Sequence, residues 1–198
     1  MVLCIPTFGV AVTPDGKTAF VTNLGSGTVS TIDVKTRTKH PTDITLGSAP
    51  FWVAFTPDGK TAFVTNNGSG TVSTIDVKTR KKNPTDIPVG SMPLGVAVTP
   101  DGKTAFVTNL FSGTVSTIDV KTRTKNPTDI TVGSNPKGVA VTPDSKTAFI
   151  TNANFGNETE GPTGDSVSTI DVKTRKKHPT DITVRTKPLR VAITPCRR

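Results

Sequence analysis

The stretch TPDGKTAFVTN at Thr13–Asn23 decides the fold, because it returns at Thr56–Asn66, at Thr99–Asn109 and, as TPDSKTAFITN, at Thr142–Asn152. Successive copies lie 43 residues apart. An Asp-Gly pair between two β-prone runs is a strong signal for a β-hairpin. Self-similarity at such a period is typical of repeat architectures, among which the β-propeller builds each repeat from four strands.

A second motif, STIDVKTR, begins at Ser30, Ser73, Ser116 and Ser168. Its last interval is 52 residues, so the fourth repeat carries nine extra residues, which lie in 153–165. A partial fifth copy, PLRVAITP, begins at Pro188. We therefore predict a single domain over 1–198, with repeats at 8–50, 51–93, 94–136 and 137–188 and an extra inner strand at 189–195.

Each repeat divides into four β-prone segments, which in the first repeat are GVAVTP, TAFVTN, TVSTIDV and PTDITLG. The first segment is apolar on both faces, and the fourth keeps little more than one isoleucine. In a propeller the inner strand touches neighbouring blades on both sides and the outer strand is largely wet, whereas a sandwich needs alternation along most strands. The predicted fold is all-β, a β-propeller of four four-stranded antiparallel blades in which the inner strand is the most buried.

The segments FVTN at Phe20, Phe63 and Phe106, and FITN at Phe149, resemble the YVTN β-propeller repeat, with phenylalanine in place of tyrosine. The resemblance includes the TPDG and TVSTIDV segments and covers nearly the whole chain. Proteins of this type include archaeal surface-layer proteins and bacterial surface antigens, and similar propellers include lactonases and streptogramin lyases. The resemblance implies a propeller but leaves both a binding and an enzymatic function open, because fold does not imply function.

Composition bears on the charge of the protein, its cellular location and the state of its cysteines. The chain has a net charge of +9, and no apolar run approaches the ~20 residues of a membrane span. Its first residues lack a secretory signal, so we expect a cytoplasmic location, or a cell-surface or secreted one if the sequence is part of a longer protein. By repeat alignment Cys4 and Cys196 fall at opposite ends of an inner strand, so we expect them to be unbridged.

The lysines and arginines are concentrated on one face. In an antiparallel blade the first–second and third–fourth loops share a face, and these loops hold 18 of the 24 basic residues. We call it the basic face. Clustered cations bind nucleic acid and other polyanions. The nearby aspartates and the lack of interleaved aromatic residues favour instead a solvated face with local ion pairs.

The opposite face, which we call the variable face, carries the second–third loops and the loops between repeats. It differs most from repeat to repeat. Trp52 stands where other repeats have Gly9, Gly95 and Gly138. With the nearby apolar residues it forms a candidate binding platform for a protein or a small ligand, in which large aromatic side chains supply anchors. The alternative is that Trp52 plugs the central channel. The other apolar candidates are Phe51, Met92, Phe111 and, in the insert, Phe155.

An asparagine ends the second strand of every repeat, at Asn23, Asn66, Asn109 and Asn152. These side chains are candidates for a ring of ligand-binding amides. The structural alternative, in which each amide bonds the backbone of a turn, is favoured because asparagine does so at such positions.

Catalytic chemistry is sparse in the sequence. His40 and His178 precede the outermost strand, and Cys4 and Cys196 lack a partner set for nucleophilic catalysis. We predict no catalytic residue, metal or cofactor, because a zinc site needs three or four convergent ligands. The favoured function is non-enzymatic binding through the variable face. A lactonase- or lyase-like enzyme with its site at the channel mouth is the alternative, and polyanion binding is a weaker one.

The oligomeric state stays open at this point. The sequence contains five inner-strand segments but only four segments for each of the second, third and fourth strands. One of the two terminal inner-strand segments is therefore redundant in a closed ring. Four blades is also the low end for propellers. The chain is therefore a closed monomer, half of a two-chain ring of eight blades, or a fragment of a longer propeller.

Overall fold

The computed structural model describes residues 7–153, 165–185 and 187–192, and no helix occurs among them. Four antiparallel sheets follow one another along the chain as propeller blades, which confirms the predicted fold. Blade one consists of β1 (Thr7–Val12), β2 (Thr18–Asn23), β3 (Thr28–Asp33), β4 (Thr38–Lys39) and β5 (Ile44–Thr45). Blade two consists of β6 (Pro50–Phe55), β7 (Thr61–Asn66), β8 (Thr71–Asp76), β9 (Lys81–Lys82) and β10 (Ile87–Pro88).

The next two blades repeat this order. Blade three consists of β11 (Pro93–Val98), β12 (Thr104–Asn109), β13 (Thr114–Asp119), β14 (Thr124–Lys125) and β15 (Ile130–Thr131). Blade four consists of β16 (Pro136–Val141), β17 (Thr147–Asn152), β18 (Ser166–Asp171), β19 (Lys176–Lys177) and β20 (Ile182–Thr183). Residues 189–192, the described part of the predicted extra strand at 189–195, carry no strand assignment. Cys4, Cys196, Phe155 and the rest of the insert at 154–164 lie outside the described residues.

The outer strand of each blade is split into two short pieces that pair with the same third strand. In blade one, Asp33 is opposite Thr38 and Ile32 opposite Lys39, whereas Val29 is opposite Ile44, so two residues are added between the pieces. Pro41 lies in this break, where a residue without a backbone N–H interrupts an edge strand at little cost. The shift in pairing between the two outer pieces and the third strand therefore follows from the proline that each repeat carries at this point.

Burial differs in part from the expected gradient. The outer pieces are mostly exposed, as predicted, but the second and third strands are more buried than the inner strand. In blade two, five of the six residues of β7 are buried, against two of six in β6. The prediction that the inner strand is the most buried is wrong, because that strand borders the central channel while the second and third strands are covered by a blade on each side.

An apolar core fills each space between neighbouring blades. Between blades one and two, Phe20 packs edge-to-face on Phe55 with ring centroids 5.1 Å apart. The three cores share one composition, in which phenylalanine, valine and isoleucine of one blade meet valine, alanine and isoleucine of the next. The inner strands contact one another in series from β1 to β6, β11 and β16, and no comparable contact joins β16 to β1 among the described residues. The four blades therefore form an open arc.

The turns between first and second strands show how local chemistry shapes a blade. In the first turn Thr13 Oγ1 donates to Asp15 Oδ1 at 2.6 Å, and the same carboxylate accepts from Lys17 N at 3.0 Å. The residue after the aspartate has a positive φ, 72° at Gly16. In the fourth turn Ser145 takes this place with φ of 58°, as predicted from the repeat alignment.

We expect Ser145→Gly to raise the free energy of unfolding by less than about 1 kcal/mol. A left-handed backbone costs a non-glycine residue about 1 kcal/mol, which glycine avoids. Part of that gain is offset because Ser145 Oγ accepts a hydrogen bond from Asp101 N at 3.0 Å. Thermal melting measures the change. Ser145→Ala is the matched control, which keeps the strain, loses the bond and should melt below the unmodified chain. A Ser145→Gly protein that also melts lower would contradict the prediction.

Candidate functional site

The loops divide between the two faces as the sequence predicts. On the basic face, the third–fourth loop is joined to the first turn of the same blade by Val34 N donating to Lys17 O at 2.9 Å. On the variable face, the second–third loop is joined to the loop that enters the blade, as where Leu110 N donates to Met92 O at 3.0 Å. Equivalent bonds recur along the arc. The variable face is thereby a continuous surface at the ends where the inner strands begin.

A cavity of about 400 Å³ opens at this end of the arc. Its walls are the first residues of β6, β11 and β16, the residue Leu110 and the segment 189–191. The side chains that line it are mainly apolar, with two cations: Phe51, Trp52, Leu94, Leu110, Val139, Leu189, Val191, Lys137 and Arg190. Ligand sites are typically concave, largely apolar and supplied with a few polar groups, which makes this cavity the candidate site.

A larger groove of about 570 Å³ lies between the outer strands of blades two and three. A smaller counterpart occupies the same place between blades three and four. The same groove thus occurs at two successive boundaries between outer strands. The channel-mouth cavity is built from residues that differ between repeats, so it can bind a ligand in one orientation.

Trp52 and Arg190 meet across the cavity. The guanidinium carbon of Arg190 lies 4.5 Å from the centroid of the Trp52 ring, within the range of a cation–π contact. Both residues occupy a repeat position that elsewhere is glycine. At Gly95 a Cβ atom would come within 2.5 Å of the backbone oxygen of Lys137, so the neighbouring blade normally excludes a side chain there. The sequence predicted the position of Trp52 but not its contact with Arg190.

Lys137 brings a second positive charge to the cavity. Burial lowers its pKa from the ordinary value of 10.5, the charge of Asp165 opposes this shift and that of Lys187 adds to it. Asp165 is itself buried, and its Oδ2 accepts from Lys187 N at 2.7 Å. A partly buried ammonium group in the wall of an apolar cavity is suited to hold an anionic oxygen, because low solvent exposure strengthens such an interaction.

The structure brings some of the predicted apolar candidates together. Phe51 and Trp52 line the cavity. Phe111 is 68% exposed on the variable face, and its N–H donates to Ser91 O, next to Met92, at 3.3 Å. Phe111 and Met92 are therefore neighbours at the rim, but neither lines the cavity. Leu110, the residue before Phe111, does.

The four asparagines lie inside the blades. Each Nδ2 donates to a hydroxyl at the start of the third strand and to the serine two residues further, as Asn66 does to Thr71 at 3.0 Å and Ser73 at 2.8 Å. The same pair of bonds occurs at the other three positions: Asn23, Asn109 and Asn152. Their Nδ2 groups thus bond side-chain hydroxyls of the same blade rather than the backbone of a turn, and none of the four asparagines lines the cavity.

The threonine before each asparagine has a role that the sequence analysis missed. Thr108 Oγ1 accepts from Gly95 N at 2.9 Å and donates to Lys137 O of the next blade at 2.7 Å. Thr22 and Thr65 make the same bridge to Phe51 O at 2.9 Å and to Leu94 O at 2.8 Å. We call it the threonine bridge. The sequence did contain a signal for this bridge, because the threonine is identical in all four repeats although a strand surface tolerates many residues.

Eight lysines of the basic face form ion pairs within their own repeat. Each turn lysine lies 3.5–3.9 Å from the aspartate of its own turn, and one lysine of each outer strand lies 2.7–2.8 Å from an aspartate four residues further on: Lys39, Lys82, Lys125 and Lys177. The bond from Lys39 is the main cause that lowers the pKa of Asp43. These contacts agree with local pairing, the alternative to polyanion binding that the sequence favoured.

Two further observations bear on function. His40 and His178 precede outer pieces and lie away from the cavity, and the part of the chain that the structure describes contains no cluster of three metal-ligating side chains. No helix among those residues is long and apolar enough to cross a membrane.

Comparisons with known proteins identify the fold as a β-propeller. The family model described as "Lactonase, 7-bladed beta-propeller" matches residues 9–157. Hydrazine synthase of Kuenenia stuttgartiensis is similar with a TM-score of 0.83 and 26% identity, over 93% of this chain and 51% of that one. No curated protein sequence matches the chain.

Two solved structures with lower identity show the fold alone. Virginiamycin B lyase of Staphylococcus aureus has a TM-score of 0.70 and 14% identity, over 92% of this chain and 57% of that one. A putative 6-phosphogluconolactonase of Bacteroides uniformis has a TM-score of 0.71 and 17% identity, over 91% and 55%. The chain therefore spans about half the length of the structures it resembles.

Proposed function

This chain belongs to the lactonase family of seven-bladed β-propellers, and from that premise we propose that the channel-mouth cavity binds a small cyclic ester and hydrolyses it. The observation that carries the proposal is the cavity itself, which combines an apolar wall around Trp52 with the partly buried cation of Lys137. This replaces non-enzymatic binding as the favoured function, because the family match gives weight to the lactonase- or lyase-like alternative.

The cavity has the dimensions and chemistry for such a ligand. Its volume of about 400 Å³ is in the range of small-molecule sites. Trp52, Leu94 and Leu110 offer apolar contacts for the carbon atoms of a ring. Lys137 offers a positive charge at the cavity wall, and in this structure Arg190 adds a second.

Lys137 is the residue that we assign to the chemistry. When water adds to the lactone carbonyl carbon, negative charge develops on the carbonyl oxygen, and a preorganised cation stabilises it. The ring C–O bond then breaks, the leaving ring oxygen takes a proton and the added water gives one up to solvent, which yields a hydroxy acid. Because burial lowers the pKa of Lys137, its ammonium group is a better proton donor to that oxygen than an exposed lysine.

The second candidate is ligand binding without turnover, the function of a surface-type propeller of the YVTN kind. It is favoured by the placement of both histidines before outer pieces, away from the cavity. The two candidates share the cavity and differ in whether the bound ester is cleaved.

Trp52 is the only tryptophan of the chain, so its fluorescence reports on the cavity directly. We expect gluconate and 6-phosphogluconate to change its emission in a saturable way, and the corresponding δ-lactones to be hydrolysed faster than in buffer alone. Lys137→Met should lower the hydrolysis rate at least about 100-fold, as losing a charge-stabilising donor does. Lys103→Met, at an exposed turn, is the matched control.

The outcomes separate the candidates. Saturable binding without hydrolysis supports the second candidate and refutes the first. Hydrolysis that is unchanged in Lys137→Met refutes the assignment of Lys137. If the probes neither change the Trp52 emission nor are hydrolysed, the cavity is refuted as a site for hydroxy acids and their lactones.

A further inference from the structure

Two adjacent repeat positions at the start of the inner strand build most of the cavity wall. The first position supplies three apolar residues and one lysine: Phe51, Leu94, Leu189 and Lys137. The second position supplies Trp52, Arg190 and two glycines. The other lining residues are Leu110, Val139 and Val191. None of the described residues that line the cavity has a carboxylate, amide or hydroxyl side chain.

The backbone of this wall is already hydrogen-bonded. Each threonine bridge uses the N–H group of one lining residue and the carbonyl oxygen of another, as Thr108 does with Gly95 N at 2.9 Å and Lys137 O at 2.7 Å. The lining N–H groups that donate to these threonines belong to Trp52, Gly95 and Gly138. The lining carbonyls that accept from them belong to Phe51, Leu94 and Lys137. A ligand that needs these backbone groups must therefore compete with the bridges.

The polar side-chain groups of the wall are two cations and the indole N–H of Trp52. The guanidinium carbon of Arg190 lies 4.5 Å from the centroid of the Trp52 ring, and the ammonium group of Lys137 is assigned above to the ester. A substituent on the ring of the substrate therefore meets mainly the apolar part of the wall. A hydroxyl group that is buried there without a partner loses its hydrogen bonds to water, whereas each methylene that is covered improves binding about three- to fourfold.

We propose that the preferred substrate of this site is a lactone whose ring carries a short alkyl chain in place of hydroxyl groups. The inference rests on the proposed function, which it narrows from cyclic esters in general to one substrate class. Lys137 stabilises the carbonyl oxygen, and the alkyl chain packs on the apolar wall that includes Leu94 and Leu110. Polyhydroxylated lactones use the same cation, but their hydroxyl groups lack matched partners, so their transition state is stabilised less.

Three δ-lactones test this preference, because they share one ring size and differ in the substituents of the ring. δ-Octalactone carries a propyl chain, δ-valerolactone carries no substituent, and glucono-δ-lactone carries hydroxyl groups. For each lactone, kcat/KM is divided by the rate constant of hydrolysis in buffer, which removes the intrinsic reactivity of the ring. We expect this quotient to be at least about tenfold higher for δ-octalactone than for glucono-δ-lactone, with δ-valerolactone between them.

The outcomes distinguish this inference from the proposed function. If the lactones are hydrolysed and glucono-δ-lactone has an equal or higher quotient, the inference is overturned and the proposed function stands. If none is hydrolysed, the proposed function fails, and Trp52 fluorescence with 5-hydroxyoctanoate and gluconate decides the inference as a property of the binding site. A dissociation constant at least about tenfold lower for 5-hydroxyoctanoate supports it. An equal or higher dissociation constant, or no binding of 5-hydroxyoctanoate, overturns it.

Leu110→Asn tests the apolar wall itself. Leu110 lines the cavity and is 8% exposed, and the same repeat position holds Asn67 in blade two, so this loop accepts asparagine. The change replaces apolar contacts by an amide and should lower the preference for δ-octalactone over glucono-δ-lactone at least about tenfold. Leu24→Asn, the same change at the equivalent position of blade one, lies outside the cavity wall and should leave the preference unchanged. An unchanged preference in Leu110→Asn would overturn the inference.

Discussion

Phe63→Ala should lower the free energy of unfolding by about 3–5 kcal/mol, the usual cost of removing a large side chain from a packed core. Phe63 is fully buried in the core between blades two and three, where Val96, Ala105 and Val107 surround it. Loss of the ring removes its contacts with both blades and leaves a cavity that the stiff β-branched neighbours cannot fill. Urea denaturation followed by circular dichroism measures the change.

The matched control for this substitution is Phe111→Ala. The same ring is removed there from a residue that is 68% exposed, so stability should change by less than about 0.5 kcal/mol. Equal effects at the two positions would show that the core between blades two and three does not hold the arc together.

Thr108→Val should cost about 1–3 kcal/mol, although valine has nearly the same shape as threonine. The hydroxyl of Thr108 accepts from Gly95 N and donates to Lys137 O of the next blade. Valine leaves both backbone groups buried without this partner, and an unsatisfied buried polar group costs its full desolvation. The effect is a test of the threonine bridge, because apolar contacts are preserved.

Thr128→Val provides the comparison, because it makes the same replacement of a hydroxyl by a methyl group at an exposed residue near the outer strand. It should leave the urea midpoint unchanged. If Thr108→Val were as stable as Thr128→Val, the bridge would contribute nothing and the blades would be joined by apolar packing alone.

The sequence predicted the features that depend on neighbours along the chain. The turn residues Thr13, Asp15 and Gly16 bond only to one another and to the strands that they join, so each repeat specifies its own hairpin. The same locality made the left-handed backbone of Ser145 predictable from its repeat position. Likewise the asparagines bond to hydroxyls five and seven residues further on in blades one to three.

The candidate site was predictable only in part. Trp52 was singled out because it replaces a glycine, and the structure places it in the cavity. Lys137 and Arg190 were not singled out, since in the sequence they are two among 24 basic residues. Their role depends on which inner strands meet at the channel mouth, and Arg190 is 138 positions away from Trp52 along the chain.

What the sequence by itself determined is the blade, with its four strands and its turns, because these arise from contacts within one repeat. What only the tertiary structure decided is how blades relate to one another. The threonine bridge, the greater burial of the second strand and the open ends of the arc all depend on the angle between blades. That angle is set by how phenylalanine, valine and isoleucine fill the space between two sheets, and no single repeat contains both sides of that space.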